Sequence, residues 1–371
     1  MNEGTKSGVF GIDLGTTYSA VAYIDDAGMP VILRNSLGYE TTPSVIYFES
    51  DSNVVVGETA KEAAIVMWEN VVSFVKRQMG SADYMREFFG RPYSAPELSA
   101  LILKEIARGA ELACGRKLEQ ATITVPAYFG MLERSATRKA GELAGIEVID
   151  VVAEPVAAAL SYGLWSEAET KTILVYDLGG GTFDITVLRV SPDEARVLVI
   201  DGDNHLGGSD WDAALVDFIV DEVCTQLGDD SVEEDDAAMQ EIWNQAEKTK
   251  RQLSRTRSCK VIVQLTGGAA TIEVTRDQFE HLTEHLLDQT IDITKRALVT
   301  FEEHQLDSTQ PISEVLLVGG SSKMPAVSKS LERQFGWDPK LSDPDLAVAK
   351  GAALLAAIRR NPKWPTSIAK G

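Results

Sequence analysis

Residues 11–21 read GIDLGTTYSAV, and residues 175–187 read VYDLGGGTFDITV. In each, an apolar run breaks at Asp-Leu-Gly, passes through Gly and Thr, and returns to alternating apolar residues. This is the pattern of a strand, a tight turn and a returning strand. Aligned, Asp13 falls on Asp177, Leu14 on Leu178 and Thr17 on Thr182; the second loop is then one residue longer, and Asp184 stands where the first has Ser19. Glycine tolerates positive φ and lets backbone N–H groups converge on phosphate oxygens. A single such loop is most simply a structural turn, but its repetition favours two loops gripping one anion. An aspartate at the end of each strand would then face the same point from opposite walls. Two carboxylates beside a polyphosphate repel it unless a hard divalent cation lies between them. Magnesium suits that role, because it keeps several waters and takes few direct ligands besides phosphate. Asp13 and Asp177 are therefore the expected metal-site residues, acting through water.

Both halves continue with the same plan. Strand signals occur at VFGID, SAVAYI, PVIL and SVIYF, and helical patterns at 58–68 and 95–113, with Pro96 in the first turn of the latter. ATITVPAY reads as a buried strand ended by Pro126, residues 131–144 as a helix closed by Gly145, and EPVAAALSYG as a short helix of small residues. The second half offers strands within 171–190 and 195–204, then a helix over 211–227 with Ser209 as its N-cap. The acidic run 229–238 precedes a charged helix at 238–254; strands at 260–265 and 271–275 and one helix over 276–299 follow. The spacing predicts an α/β fold of two duplicated lobes around a cleft, residues 1–168 and 169–371, with an inserted α+β unit at about 209–300. The boundary is expected near 164–171.

Composition narrows the partners. The net charge is −21 and the pI about 4.6, which argues against nucleic acid and anionic membrane. Cys114, Cys224 and Cys259 are scattered, which suits a reducing compartment. The N-terminus MNEGTKSG has no apolar signal segment and no long apolar run follows, so a cytoplasmic location is expected.

A third glycine loop, VGGSSKMP at 318–325, follows a strand and opens a helix, a geometry suited to an anion or nucleoside. Neither a Walker-type phosphate loop nor a dinucleotide-binding glycine turn is present. His281-Leu-Thr-Glu-His285 matches an H-x-x-E-H pattern but sits on a polar stretch and reads as a solvated helix face; His205 in GDNHLGG reads as part of a turn.

Taken together and in order, GIDLGTTYSAV, VPAYFG, EPVAAALSYG, DLGGGTFDITVL, HLGGSDWD and LLVGGSSKMP resemble the ATPase domain of the 70-kilodalton heat-shock (DnaK-type) chaperones, over residues 8 to about 358. The hairpins alone would indicate only the wider actin, sugar-kinase and chaperone superfamily. The resemblance implies an actin-like ATPase fold of four subdomains, with ATP or ADP, Mg2+ and in some members K+ in the cleft. It implies phosphate loops at Gly15, Thr16, Thr17 and Tyr18 and at Gly180, Gly181 and Thr182, with Gly208 of HLGGSDWD nearby. Lys76 of FVKRQMG resembles the catalytic lysine. Glu154, Asp13, Asp177 and Asp184, with Thr182, resemble the group around metal and attacking water; which carboxylate handles the water stays open. Glu247, Lys250, Arg251 and Ser254 share one helical face and resemble the adenosine helix, opposite Gly320, Ser321, Ser322, Lys323 and Asp345. The family usually has Arg at Lys323, and Lys is the poorer stacking partner for a base.

Pro126 and Arg134 match a proline–arginine switch, although the Asn-Asp usual after AYF is Gly130-Met131 here. The family's Arg-Ile-Ile-Asn-Glu-Pro-Thr is replaced by Asp150-Val-Val-Ala-Glu154-Pro-Val156, which leaves J-domain co-chaperone and exchange-factor partners open. The chain reads as an excised, monomeric ATPase domain whose peptide-binding domain would follow Gly371. A sugar-kinase-type phosphotransferase and an actin-like filament protein are the alternatives.

Overall fold

In a computed structural model the described residues are 8–361, excepting 165–168, 192–193, 229–231, 233–234, 266–267 and 304–310. Half of the expected boundary near 164–171 and half of the acidic run 229–238 lie outside them.

Two sheets carry the molecule. In the first, strand Val9–Asp13 runs antiparallel to Tyr18–Ile24 and parallel to Gln120–Val125, which is followed by Glu147–Ala153 at the edge. In the second, Lys171–Leu178 runs antiparallel to Phe183–Val190 and parallel to Glu314–Val318, with Ala195–Asp203 beyond the hairpin. Each sheet is thus a hairpin whose first strand is flanked by a parallel strand arriving after a long crossover. Their apolar alternation explains the burial: Phe10, Ile12, Leu174, Tyr176 and Leu178 are wholly or almost wholly enclosed.

The ladders correct the sequence alignment of the hairpins. Asp13 lies opposite Ala20, and Asp177 lies opposite Asp184. The two hairpins therefore have equal spans, and Asp184 corresponds to Ala20 rather than to Ser19. Counting glycines misplaced the register, because cross-strand pairing, not loop composition, defines equivalence.

Helix starts follow local chemistry. Ser94 and Glu97 form a capping box before Ala95–Cys114, the Ser94 N–H donating to Glu97 Oε2 at 2.9 Å. The helix expected to be capped by Ser209 begins earlier, at Gly208, with Gly207 as its cap. Asp210 accepts the Gly207 N–H at 2.7 Å, so the reciprocal carboxylate sets the start and Ser209 lies inside the first turn. The single helix expected over 276–299 is two, Arg276–Leu282 and Glu284–Glu303, broken at Thr283. The H-x-x-E-H pattern straddles that break and is exposed; among the described residues no cluster of three or more metal-ligating side chains occurs.

Small residues join the halves. The last helix, Ala347–Arg360, packs against Val9–Asp13 and against helix Glu154–Ser161. A Cβ on Gly351 would lie 1.8 Å from the Ala157 carbonyl oxygen, and one on Gly11 would lie 2.0 Å from Ala353 N. The alanine-rich composition of both helices follows from this approach of backbone to backbone. Helix propensity alone favours Gly351→Ala by about 1 kcal/mol. The contact reverses the sign: the variant is expected to lose about 2 kcal/mol of stability in urea unfolding, and a neutral or stabilised variant would refute the packing argument.

Candidate active site: a cleft between two hairpins

The hairpin turns face one another across a cavity of about 1070 Å³. The first loop is tied from behind: Gly15 N donates to Ser19 Oγ at 3.1 Å, and Ser44 gives its hydroxyl to Gly15 O and its N–H to Thr17 O, both at 2.8 Å. The second loop is held by Gly208 N on Gly179 O at 2.9 Å and Ser209 N on Gly180 O at 2.7 Å. The loops touch: a Cβ on Gly180 would lie 2.3 Å from Thr17 Oγ1. The third glycine loop closes the floor. Gly319 has φ 80°, and a Cβ there would lie 2.6 Å from Asp177 Oδ1, so only glycine fits.

Charge gathers where the loops meet. Lys76 is only 8% exposed, and its Nζ donates to Glu154 Oε1 at 2.5 Å. It stands on the short turn Val75–Gln78, while Glu154 is the first residue of its helix. The sequence could equally have placed this lysine at the surface; the fold buries it in the cleft. Burial works to lower the Lys76 pKa, but Glu154 and Asp13 hold it above its ordinary value. Burial, reinforced by Glu154, pushes the Asp13 carboxyl up to about 7 and that of Asp184 to about 8. Asp177 is raised well above the usual range by burial and by Glu154, Asp184 and Asp13. One ammonium among four carboxyl groups leaves an excess of negative charge, which is the condition a divalent cation relieves.

The other end of the cavity is lined by Lys250, Arg251 and Ser254 on one side and Gly320, Ser321, Lys323 and Asp345 on the other. Lys250 is buried and donates to Gly208 O at 2.6 Å and to Asp212 Oδ2 at 2.7 Å. Lys323 is paired with Asp345 rather than projecting freely. Glu247 is engaged across the cleft: it accepts the Tyr18 hydroxyl at 2.6 Å, pairs with Lys61, and is bridged by Arg251 at 2.7 Å. Although burial opposes it, Lys61 and Arg251 pull the Glu247 pKa down to about 2. Arg251 also lies over the Tyr18 ring, 4.9 Å from its centroid.

Most of the expected residues thus line one cavity, but four do not. Gly181, within the second loop, is covered by Gly207 and Arg77, and Gly208 sits behind that loop against Ser321 and Lys250. Asp184 lies beside Asp177 on the returning strand, within reach of Glu154 and Lys76 but off the cavity wall. Ser322 turns inward and donates to Val318 O at 2.5 Å, so it braces the loop instead of lining it. Lys61, Ser44, Asp212 and Arg77 were missed, because no local pattern marks a residue brought to the cleft by another element. Arg134 holds the segment after Pro126, donating to Phe129 O and Val151 O, each at 3.0 Å, and so connects it to the strand that leads into Glu154.

The Hsp70 protein profile matches residues 9–88 and 82–364. The chain belongs to the Hsp70 family. Its fold is accordingly the actin-like ATPase fold, and the sugar-kinase and filament readings are not favoured. Curated relatives include the chaperone protein DnaK of Thermosipho africanus, 39% identical over 360 residues, 95% of this chain and 59% of that protein. The DnaK proteins of Thermotoga neapolitana and Thermotoga petrophila are each 40% identical over 361 residues, 95% of this chain and 60% of theirs. The chain spans about three-fifths of the length of these relatives. Among the described residues, no helix is long and apolar enough to cross a membrane.

The raised carboxyls carry a stability consequence. In the unfolded chain they ionise near 3.8, whereas Asp13 and Asp184 hold their protons to about 7 and 8 when folded. Folding therefore takes up protons between these values, and this contribution to stability is lost as pH rises through the window. Asp184→Asn removes one such group. We expect it to raise the urea midpoint at pH 8.5 and to raise it much less at pH 5, where only the start of the window has been crossed; an equal shift at both would contradict the assignment.

Proposed function

We propose that this chain is the nucleotide-binding part of an Hsp70-type chaperone, which binds ATP or ADP between its halves and hydrolyses ATP. The observation that carries the reading is the pair of facing glycine hairpins with the Lys76–Glu154 pair buried between them. The polyphosphate would lie between Gly15–Tyr18 and Gly180–Thr182, and the adenosine between the Lys250–Ser254 face and Gly320–Lys323. Division into lobes 1–168 and 169–371 follows this reading, the nucleotide bridging the two.

Lys76 would present its ammonium to the transferring phosphoryl oxygens, where a fixed cation stabilises charge that develops in the transition state. Glu154 holds that ammonium in place. Asp177, with Asp184 beside it, would accept or orient the proton of the attacking water. The donor set fits magnesium: the carboxyl groups exceed the cations, yet no three acidic side chains are set for direct ligation among the described residues. Asp13 and Asp177 would hold the ion through its waters. Magnesium, when bound, supplies charge neutralisation at the phosphates. K+ is a second candidate ion at the same cluster. A following peptide-binding domain, a cytoplasmic location and a monomeric state belong to the same proposal. Arg134 would carry the nucleotide state outward from the Pro126 segment.

Two experiments test this. Lys76→Ala should retain ATP binding by calorimetry while single-turnover hydrolysis falls by about 10²-fold or more; unaltered hydrolysis would remove the lysine from the mechanism. Asp13→Asn and Asp177→Asn should each weaken the magnesium-dependent part of ATP binding. If only one of them does, the two-sided arrangement is wrong.

A further inference from the structure

The second glycine loop is fixed by its carbonyls. Gly179 O accepts from Gly208 N and Gly180 O from Ser209 N, both from the start of one helix in the same half. Gly181 O is taken differently: Arg77 of the first half reaches across and donates Nη2 to it at 2.5 Å. A trans peptide is planar, with its C=O and the following N–H pointing in opposite directions. Each of these bonds fixes the plane of one peptide, so the N–H groups of Gly180, Gly181 and Thr182 point away from Gly208, Ser209 and Arg77 respectively. Among the described residues, no hydrogen bond takes up those three N–H groups. Without Arg77 the Gly181–Thr182 peptide would have no such anchor, and the glycine on its N-terminal side would leave it able to rotate.

Arg77 is itself positioned. Its guanidinium lies 4.7 Å from the ring centroid of Phe74, the residue that caps the short turn carrying Lys76. Phe74 adopts φ 58°, a left-handed conformation costly for an aromatic residue. A Cβ on Gly181 would lie 2.8 Å from Arg77 Nη2, so the contact also requires glycine at 181.

We propose that Arg77 is a positioning residue that locks the Gly181–Thr182 peptide with its N–H directed at the terminal phosphate, so that joining the two halves and completing the anion site are one event. This rests on the nucleotide reading above and assigns Arg77 a role distinct from the charge supplied by its neighbour Lys76. Because the anchor comes from the other half, the site should discriminate a nucleotide that has a terminal phosphate at the Thr182 N–H from one that lacks it.

The test is calorimetric titration of the whole chain with ATP and with ADP, both with magnesium, for wild type and Arg77→Met. Methionine keeps the packed stem and removes the donor. ADP affinity is expected within about threefold of wild type, while the preference for ATP over ADP falls about tenfold. A preserved preference, whether both affinities are unchanged or both fall equally, overturns the proposal and leaves Arg77 a merely structural contact. Should Arg77→Met fail to fold, Phe74→Leu decides the matter through the same ratio. Loss of the ring face that holds the guanidinium should reduce the preference, and an unchanged ratio overturns it. Absence of ATP binding by the wild-type chain would instead defeat the nucleotide reading itself.

Discussion

Lys76 is a buried cation among four carboxyl groups, and much of the surrounding architecture serves to keep it there. Removing an ammonium and a carboxylate from water is costly unless they meet in good geometry. The Lys76–Glu154 contact satisfies that condition, with Glu154 contributed by the start of a helix that the rest of the fold holds in place. That helix in turn packs against Ala347–Arg360, which lies on the strand ending at Asp13. Side chains larger than alanine at the closest of these contacts would move the glutamate away from the lysine. The composition of helices far from any chemistry is therefore set by where one charge must stand.

Charge excess also explains why the cleft is a poor resting place for a bare protein. Asp13, Asp177 and Asp184 are all held above their ordinary ionisation range. A site that prefers its acids protonated in isolation is one that gains most from a bound cation. At the opposite end of the cavity the balance differs: Glu247 is shared by Lys61, Arg251 and the Tyr18 hydroxyl, and its charge is stabilised. The cleft thus has a demanding floor and a satisfied rim, and both draw residues from each half of the chain.

Much of this was legible in the sequence. The period-two apolar runs gave the strands, and the repeated Asp-Leu-Gly identified the two hairpins and placed Asp13 and Asp177 correctly at the strand ends. Gly145, Gly163 and Pro126 marked real terminations, because their backbone restrictions act locally. The failures share a cause. Ser209 looked like a helix cap, but the Asp210 carboxylate starts the helix two residues earlier, a choice made by competing hydrogen bonds that composition does not rank. Gly208 and Ser322 belong to the right motifs yet face away from the cavity, since a motif does not specify the direction of each member. Arg77, Lys61 and Asp212 lie in no recognisable pattern; their importance comes from a partner 104, 186 or 38 residues away.

The register of the hairpins bears on how two matching halves come to do unequal work. With Asp13 opposite Ala20 and Asp177 opposite Asp184, the halves correspond rung for rung, and neither turn has gained or lost a residue between these pairs. Their difference in acidity at this level is confined to a single rung, a methyl group in one and a carboxyl group in the other. Unequal roles can therefore emerge within a repeated scaffold by replacing one side chain, without altering the length of the chain or the path of its backbone.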